Sequence, residues 1–365
     1  MDDTKNRLVF LNGEEHGLEI VEAMRPRPGP GEVLVRVEIG GVCGTDVHYW
    51  TGQAAYPAPM VLGHEGVGIV EALGGGVERD FASNPISLGD RVAWVPEVVC
   101  GRCYSCVMLA DSSLCENSKL TCPPGDANWA TFADFALLPR EMAFFRISES
   151  TPSEAVSAFG CALPTLLQAV ERAGGLRPGD DVVIQGSGPV GLAATMLAKV
   201  SGARSVVVVG RPRHRLEAAL SLGADRVIDI GEIPDEETRR AAVLDATDGR
   251  GAALVVEATG VLGAMEEGLR FLAPGGRYLV VGLWGTPGDV SLPPSRLNNL
   301  NQRIIGSSYC QARHYYQAIR VVETHHERLP IASVVSHRYA LEDAAEALTA
   351  SRQEQTLKAV VMPLL

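Results

Sequence analysis

Four cysteines, Cys100, Cys103, Cys106 and Cys115, lie close together in the run CGRCYSCVMLADSSLC. Four thiolates at this spacing can all reach one tetrahedral Zn²⁺, at about 2.3 Å per Zn–S bond, once the loop folds around the ion. Such a site is closed by its own ligands, so no position remains for a substrate. The run therefore predicts a structural zinc site that takes no part in catalysis.

A second group of metal-type ligands lies upstream, where Cys43 precedes the adjacent pair His64 and Glu65. Thiol, imidazole and carboxylate groups all bind Zn²⁺. The chain has eight cysteines, and in a reducing compartment these are metal ligands or buried thiols before they are disulfides. Two zinc-like groups ahead of a nucleotide-binding motif indicate an oxidoreductase.

That motif is a glycine-rich sequence between the apolar run DVVIQ and the helical run GLAATMLAKV. Its residues are Gly186, Gly188, Pro189, Val190 and Gly191. In G-x-G-x-x-G the first glycine permits a tight turn, the second admits a pyrophosphate, and the third packs helix against strand. The helix N-terminus then faces the phosphates. A glycine-rich turn without a ligand is the alternative, but the flanking strand and helix favour cofactor binding.

The residues after the next apolar run bear on the choice between NAD and NADP. An NAD site usually has Asp or Glu there, about 20 residues after the fingerprint, to bind the ribose 2′-hydroxyl. Here Val209 is followed by Gly210 and Arg211, with Arg215 further along. Guanidinium groups without a carboxylate suit a 2′-phosphate, so NADP is favoured over NAD. The alternative is that RPRHR is only a solvated helix start.

The composition bounds the class of protein. With 365 residues the chain is long enough for two domains, each with its own core. Its net charge of −12 argues against nucleic-acid binding, which needs clustered Lys and Arg. No run approaches the ~18 consecutive apolar residues of a membrane span, and the first residues, MDDTKNRLVF, carry no signal pattern. We therefore expect a cytoplasmic protein whose partners include neither nucleic acid nor membrane.

The first ~150 residues predict a β-rich region, with strands at 32–39 and 92–95 and a loosely alternating run at 130–138. The sequence Thr151-Pro152-Ser153-Glu154 has the form of a capping box with proline at the first helical position. We therefore expect one long helix from there to about residue 174, with a kink at Pro164.

From residue 181 onward, apolar runs alternate with helical ones. We expect strands at 181–185, 205–209, 226–229, 253–257 and 277–281, helices at 215–222, 262–272, 314–324 and 341–350, and a last strand near 357–362. Runs such as VVVV at 206–209 imply burial on both faces. The pattern predicts an α/β fold with a parallel sheet covered by helices.

Six motifs together resemble a known family: GGVCGTDVH (40–48), GHEGVG (63–68), GDRV (89–92), the four-cysteine run, GSGPVG (186–191) and GAD (223–225). In combination they are similar to zinc-dependent medium-chain dehydrogenases/reductases, the alcohol dehydrogenase superfamily. The resemblance implies a β-rich GroES-like catalytic domain at 1–155 and 301–365, and a Rossmann domain, a doubly wound parallel sheet, at 156–300. It also implies two zinc ions per chain, NADP or NAD, and a homo-oligomer, either a dimer or a tetramer.

The resemblance also implies a catalytic zinc site. In this family that zinc takes one cysteine, one histidine and a third cysteine or acidic residue. Cys43 and His64 match the first two positions, and Cys161, in FGCALPT, occupies the third. A small buried helix residue is the alternative for Cys161, since free cysteine is often buried. Glu154, two turns earlier, is the acidic alternative.

Neighbouring residues match other functional positions of the family. Thr45 matches the hydroxyl beside the substrate oxygen, and His48 matches the residue that passes the proton on to solvent. Asp46 matches the carboxylate that orients the zinc-bound imidazole, a contact that tunes ligand basicity. Glu65 matches the family's glutamate near the metal.

The implied reaction is hydride transfer between an alcohol or carbonyl substrate and a nicotinamide cofactor. Thr165 and Val190 match positions near the nicotinamide ring. The run at 78–94 resembles the subgroup associated with phosphonate-catabolism dehydrogenases. A polyol dehydrogenase that uses NAD is the alternative within the family. A catalytically silent nucleotide-binding protein on the same fold is the alternative outside it.

The four-cysteine run departs from the family pattern in one respect. The gap between Cys106 and Cys115 holds eight residues where seven are usual. A surface loop absorbs one residue at little entropic cost, so zinc binding is expected to survive, with Cys122 as a substitute ligand. The four tryptophans are either pocket or core residues: Trp50, Trp94, Trp129 and Trp284.

Overall fold

The computed structural model of the protein describes residues 5–13, 17–55, 59–119, 128–283 and 286–365. The chain divides into two compact units. Unit 1 is Met1–Cys161, Gln311–Glu327 and Ile331–Leu365, and unit 2 is Ala162–Cys310 and Arg328–Pro330. The domain boundaries expected from the sequence, after residues 155 and 300, lie six and ten residues before these divisions. The chain up to Cys161 packs within unit 1, and the chain from there to Cys310 packs within unit 2.

The first part of unit 1 forms the strands β1 (Lys5–Leu11), β2 (Leu18–Met24), β3 (Val33–Gly41), β4 (Met60–Val61), β5 (Gly66–Leu73), β6 (Arg91–Trp94), β7 (Phe135–Leu138) and β8 (Phe144–Arg146), and the helices α1 (Gly44–Trp50), α2 (Tyr104–Val107) and α3 (Ser153–Ser157). Unit 2 follows with the helices α4 (Ala162–Arg172), α5 (Pro189–Val200), α6 (Arg213–Ser221), α7 (Glu236–Ala246), α8 (Leu262–Leu269) and α9 (Pro294–Asn299), and the strands β9 (Asp181–Gln185), β10 (Ser205–Gly210), β11 (Arg226–Asp229), β12 (Ala252–Glu257), β13 (Leu272–Val280) and β14 (Arg303–Gly306). The chain then returns to unit 1 with α10 (Ala312–His325), β15 (Val335–Tyr339), α11 (Ala344–Arg352) and β16 (Lys358–Val361).

Strand β3 lies at the centre of the larger sheet of unit 1, whose order is β15-β16-β3-β5-β6-β8. It pairs antiparallel with β5, β7 and β16. Its sequence VLVRVEIGG alternates after the first residues, so that Val35, Val37 and Ile39 are buried while Arg36 and Glu38 are partly exposed. The last strand of the chain therefore lies beside the strand that leads into α1.

The single long helix expected after residue 151 is wrong. The chain forms two helices, α3 and α4, which are interrupted at residues 158–161. Gly160 has φ +34°, outside the range of a continuous helix. Pro164 lies in the first turn of α4, where its missing N–H costs no hydrogen bond. The expected capping box is also wrong, because Pro152 occupies the cap position and no side chain caps the turn.

Unit 2 is built on a parallel sheet with the order β11-β10-β9-β12-β13-β14. Strands β9 and β12 are neighbours although they are not consecutive, so the strand order reverses beside the carboxyl end of β9. Ligands bind at such switch points in open α/β sheets. The motif that begins at Gly186 follows β9 directly. The fold is therefore the Rossmann-type doubly wound sheet with a β-rich second unit, as the sequence predicts.

Five strands of unit 2 lie where the apolar runs predict them, although β13 begins earlier than expected, and the sixth, β14, was not predicted. Strand β13 begins at Leu272, and helix α8 ends at Leu269, earlier than the expected end at residue 272. Leu272 pairs with Ala252 of β12, so strand pairing ends the helix. Among the described residues, the helices of both units are too short or too polar to cross a membrane.

Candidate functional site

Four side chains from distant parts of the sequence meet within unit 1. The ligand atoms of Cys43, His64, Glu65 and Cys161 all lie within 4.8 Å of one another. The Sγ atoms of Cys43 and Cys161 are 3.5 Å apart. Glu154, the acidic alternative, instead has its carboxylate 3.5 Å from Arg338. Two thiols, an imidazole and a nearby carboxylate form a donor set that fits Zn²⁺.

Asp46 fixes the orientation of His64. Asp46 is 1% exposed, and its Oδ1 lies 3.1 Å from His64 Nδ1. Its Oδ2 accepts a hydrogen bond from the backbone N–H of Cys43, which ties the start of α1 to the same carboxylate. With Nδ1 hydrogen-bonded to the carboxylate, Nε2 is the nitrogen left to bind a metal. The geometry is the one expected of a carboxylate behind a ligating histidine.

The two thiols behave as a pair. A hydrogen bond with Cys161 holds the pKa of Cys43 well below its usual range, although burial acts in the opposite direction. The same hydrogen bond, together with burial, raises the pKa of Cys161 well above its usual range. The lowered pKa of Cys43 favours a thiolate at this position. The pair suits a cation, because cysteines bind metals as thiolates.

Glu65 is held from two sides. Its Oε1 accepts a hydrogen bond of 2.9 Å from the backbone N–H of Cys161, and its Oε2 is paired with Lys358 Nζ. Burial raises the pKa of Glu65, but the charges of Lys358 and His64 outweigh it and bring the pKa to about 2. Both oxygens of this carboxylate are therefore occupied by donors of the protein.

Two glycines make room for that carboxylate. A Cβ on Gly41 would lie 2.2 Å from Glu65 Oε2, and a Cβ on Gly160 would lie 2.2 Å from Glu65 Cδ. The break between α3 and α4 therefore follows from packing against Glu65, since Gly160 supplies both the positive φ and the space for that side chain. It places Cys161 beside Glu65, where a continuous helix would not.

A hollow of about 330 Å³, part of it open to solvent, reaches His64 from the surface of unit 1. Its lining includes the uncharged side chains of Thr45, Tyr49, Met60, Val61, Pro96, Trp129 and Ala130. Burial raises the pKa of Tyr49, so its hydroxyl keeps its proton. The charged groups in the described lining are Asp46 and His64, which face each other.

The other predicted residues near this site are placed as follows. Thr45 Oγ1 lies 3.7 Å from Cys43 Sγ and lines the hollow. His48, in the last turn of α1, has its Nδ1 2.7 Å from Gln53 Oε1 and does not belong to the lining. Of the tryptophans, Trp129 lines the hollow, Trp94 and Trp50 are core residues, and Trp284 lies outside the described residues.

The four-cysteine run also folds as a cluster. The sulfur atoms of Cys100, Cys103, Cys106 and Cys115 lie within 4.8 Å of one another. The backbone N–H of Arg102 is the main donor that lowers the pKa of Cys100 to about 6, while burial raises the pKa of Cys106 to about 12. Four thiols this close together fit a closed zinc site. The substitute ligand Cys122 lies outside the described residues.

In unit 2 the fingerprint glycines form a tight turn and helix start, the phosphate cradle, in which side chains at Gly186 and Gly191 would collide with the backbone. Gly186 has φ +104°, and its Cβ would lie 2.6 Å from the carbonyl oxygen of Ala258. A Cβ on Gly191 would lie 2.0 Å from the carbonyl oxygen of Gly186. No side chain caps the first turn of α5, whose N-cap is Gly188, so its N–H groups point outward. This cradle fits a pyrophosphate.

The predicted residues around that cradle are partly brought together. Pro189 and Val190 are the first residues of α5, and Thr165 lies on α4, which packs against α5. Gly210 ends β10 without a side chain beside Ser187. Arg211 is exposed, and a guanidinium nitrogen of the buried Arg215 lies 4.0 Å from the Cβ position of Gly188.

Two functional candidates were missed in the sequence. Lys358 is a charged residue at the head of the apolar run KAVV, and Glu257 ends the apolar run ALVVE. A charge inside or directly after an apolar run was the available signal, because such a side chain must find partners when the run is buried. The partner of Lys358 is Glu65, 293 residues away, so no spacing rule could name it.

Comparisons with known proteins identify the family of the chain. The family described as "Alcohol dehydrogenase GroES-like domain" matches residues 29–148, and the family described as "Zinc-binding dehydrogenase" matches residues 189–324. The 5-exo-hydroxycamphor dehydrogenase of Pseudomonas putida is 41% identical over 349 residues, which cover 95% of this chain and 96% of that protein.

Two further relatives match over nearly the whole length. L-threonine 3-dehydrogenase of Pyrococcus furiosus is 32% identical over 369 residues, covering 97% of each chain. The crystal structure of an alcohol dehydrogenase from Thermotoga maritima superposes with a TM-score of 0.92 at 29% identity, covering 98% of this chain and 99% of that one. The chain belongs to the zinc-dependent medium-chain dehydrogenases/reductases, the alcohol dehydrogenase superfamily. It is an NAD(P)-dependent zinc alcohol dehydrogenase that acts on small-molecule alcohols or carbonyls.

Proposed function

We propose that the chain interconverts a neutral secondary alcohol and its ketone with NADP, at a zinc ion held by Cys43, His64 and Cys161. The observation that carries this proposal is the position of His64, which belongs both to the ligand cluster and to the lining of an uncharged hollow. A three-residue donor set leaves one zinc position for a substrate oxygen.

When bound, zinc supplies a Lewis acid that polarises the substrate oxygen. The residues of the chain do the rest. Asp46 keeps His64 in the tautomer that can bind the metal. Thr45 lines the hollow beside Cys43 and offers a hydroxyl that can hydrogen-bond the substrate oxygen. His48 lies outside the lining, so it would receive the proton of the substrate hydroxyl by way of the nicotinamide ribose and release it to water.

Metal analysis together with turnover tests the catalytic site. The variant Cys43→Ser should lower zinc from about two to about one ion per chain and reduce turnover by about 10³-fold or more, since a weaker ligand replaces a thiolate. Dinucleotide binding should persist, because the fingerprint lies in unit 2. Cys310→Ser, which changes a buried thiol outside both clusters, is the matched control. Full turnover by Cys43→Ser would reject zinc catalysis, whereas no turnover by the unmodified protein would favour a silent protein.

The substrate class follows from the lining of the hollow. The described lining residues offer no charge free to pair with an ammonium or a carboxylate group, because Asp46 and His64 engage each other. A buried unpaired charge is costly. This lining supports a substrate like the alicyclic alcohol in the name of the Pseudomonas putida relative, rather than an amino acid like threonine.

A substrate panel tests this class. We expect kcat/KM for a neutral alicyclic secondary alcohol such as borneol to exceed that for L-threonine by about 100-fold or more. A panel that also contains sorbitol and xylitol includes the polyol alternative. Preference for a polyol or for threonine would contradict the proposed class while leaving zinc catalysis intact.

Cofactor choice is tested at the end of β10. With Gly210 in place of a carboxylate, we expect NADP to bind about 10-fold or more tightly than NAD. Arg211→Ala should weaken the binding of NADP by about 10-fold and change the binding of NAD little. Arg213→Ala is the matched control, because Arg213 is already paired with Glu217. Tighter binding of NAD by the unmodified protein would contradict the preference.

The remaining predictions concern zinc content and assembly. We propose that Cys100, Cys103, Cys106 and Cys115 hold the second, structural zinc ion. We also propose that the protein is a homo-oligomer, a dimer or a tetramer. Sedimentation should then give a mass of two or four times 38.8 kDa; a species of one chain mass would contradict it.

A further inference from the structure

Glu257 is a buried carboxylate that the proposed reaction does not use. It ends β12 and is 0% exposed. Its Oε1 accepts hydrogen bonds from Thr259 N at 2.7 Å, Thr259 Oγ1 at 2.8 Å and Gly260 N at 2.9 Å. Its Oε2 accepts one from Gly282 N at 2.9 Å. One side chain therefore joins the turn after β12 to the turn after β13.

These two turns are also packed against each other. A Cβ on Gly282 would lie 2.8 Å from Thr259 N, and a Cβ on Gly260 would lie 3.1 Å from the carbonyl oxygen of Gly282. Gly260 has φ +72°, a conformation that few other residues adopt. A side chain at Gly282 would collide with the neighbouring turn. The close packing of the two turns and the hydrogen bonds of the carboxylate together hold them in one arrangement.

The first turn also contacts the dinucleotide fingerprint. Ala258 N donates to the carbonyl oxygen of Gln185, the last residue of β9. The carbonyl oxygen of Ala258 lies 2.6 Å from the Cβ position of Gly186. The carboxylate of Glu257 is therefore one residue away from a peptide that touches the phosphate-binding turn.

The strand order places these turns in the nucleotide site. In a doubly wound sheet the pyrophosphate lies at the fingerprint and the adenosine ribose lies at the end of the next strand, which here is β10. The dinucleotide crosses the switch point, so its other half extends over the carboxyl ends of β12 and β13. Those are the ends that Glu257 joins.

We infer that Glu257 is a positioning residue that fixes the two turns against which the nicotinamide half of the cofactor binds. This inference rests on dinucleotide binding by unit 2, which the proposed function shares. A carboxylate is suited to the task because it can accept all four hydrogen bonds, and charge-assisted bonds of this kind are the strong ones. An amide accepts on one side only.

The variant Glu257→Gln tests this role, since it keeps the shape but places an NH₂ group against at least one N–H donor. The probes are the whole cofactor and its adenosine half, which is adenosine 2′,5′-bisphosphate for NADP or AMP for NAD. We expect the dissociation constant of the whole cofactor to rise by about 10-fold. The adenosine half should bind within about two-fold of its original affinity.

Two controls keep the result interpretable. Asp225→Asn changes a carboxylate that accepts the N–H of Val206, at the amino end of β10, and should leave both affinities unchanged. Thr259→Val removes the hydroxyl that donates to Glu257. It should weaken binding of the whole cofactor by a smaller factor, and it replaces Glu257→Gln as the test variant if Glu257→Gln does not fold.

Three outcomes would overturn the inference. These are unchanged affinities in Glu257→Gln, equal weakening of the cofactor and its adenosine half, or equal weakening in Asp225→Asn. Failure of the unmodified protein to bind either cofactor would instead contradict the proposed function, so the two failures are distinguishable.

Discussion

Lys358 and Glu65 form a buried ion pair, in contrast to the exposed ion pairs of unit 1. Both side chains are 2% exposed, whereas the Lys5–Glu22 pair has side chains that are 47% and 56% exposed. Removing one partner of a buried pair leaves a buried charge, while an exposed charge returns to water. The same type of contact therefore has a different energetic weight in the two places.

We expect Lys358→Met to lower the free energy of unfolding by about 3–5 kcal/mol, because Glu65 would keep its burial and lose its cation. Lys5→Met should lower it by no more than about 1 kcal/mol. Urea denaturation of the two variants, followed by circular dichroism, measures the difference. Equal effects of the two changes would show that Glu65 is rescued in some other way.

Glu97 makes the folding stability of the protein depend on pH. Burial raises its pKa to about 7, although a hydrogen bond from Ser118 acts in the opposite direction. Between the ordinary carboxyl pKa and pH 7 the folded state binds more protons than the unfolded state, so stability falls as pH rises through this window. Above the window this loss is complete.

The variant Glu97→Gln should therefore be more stable than the unmodified protein at pH 8, by roughly 1–3 kcal/mol, and equally stable near pH 4. Thermal or urea denaturation at both pH values measures the difference. A constant offset at all pH values would contradict a titration of Glu97.

Single residues were predictable where a short motif contained them. Cys43, His64 and the fingerprint glycines carry local patterns, and the structure places them where ligands can bind. Lys358 was not predictable, because its partner Glu65 is 293 residues away and no spacing rule joins them. In the sequence, a long-range contact such as this one is indicated only by a charged residue at the edge of an apolar run.

At the scale of elements, the buried strands were predicted well and the α3–α4 region was not. The run VVVV of β10 predicts a strand buried on both faces, and all four side chains are buried. Residues 151–174 have helical character throughout, and a local pattern cannot show that Glu65 will occupy the space beside Gly160. Tertiary contact therefore decided where the helix ends.

The four-cysteine loop accommodates its longer gap with an unusual backbone. Ala110, within the gap between Cys106 and Cys115, has φ +51°. This left-handed conformation is costly for a residue with a Cβ, by about 1–2 kcal/mol, and free of that cost for glycine. The extra residue is therefore tolerated with some local strain.

We expect Ala110→Gly to stabilise this loop by up to about 1 kcal/mol, because the relief of strain exceeds the added flexibility of the unfolded chain. Ala110→Val should destabilise it, since β-branched residues are disfavoured at positive φ. The midpoint of thermal unfolding and the rate of zinc release to a chelator report the change. Destabilisation by glycine would contradict a strained Ala110.

At the scale of the molecule, the two kinds of ligand belong to different units. All candidate zinc ligands lie in unit 1, and the fingerprint lies in unit 2. A ligand that binds only the folded form stabilises the region that it binds, by about 2.7 kcal/mol at 100 times its dissociation constant. The effects of metal and cofactor on stability should therefore be separable.

Hydrogen exchange measured by mass spectrometry tests this separation. A chelator should speed exchange of the amides of β3 and leave those of β9 unchanged, while saturating cofactor should slow exchange in β9 and the fingerprint turn. Cys43→Ser provides a control, because it should weaken the response to chelator and preserve the response to cofactor. A uniform response of both units to either ligand would contradict the assignment.

The return of the chain to β16 has a consequence for the order of events during synthesis. Unit 2 is nearly one uninterrupted stretch, so its core can form as soon as that stretch has left the ribosome. The sheet around β3 must wait for its C-terminal neighbour, because β16 brings Lys358 to Glu65. We expect the nascent protein to acquire its nucleotide unit first and to complete its metal centre only after β16 has been synthesised.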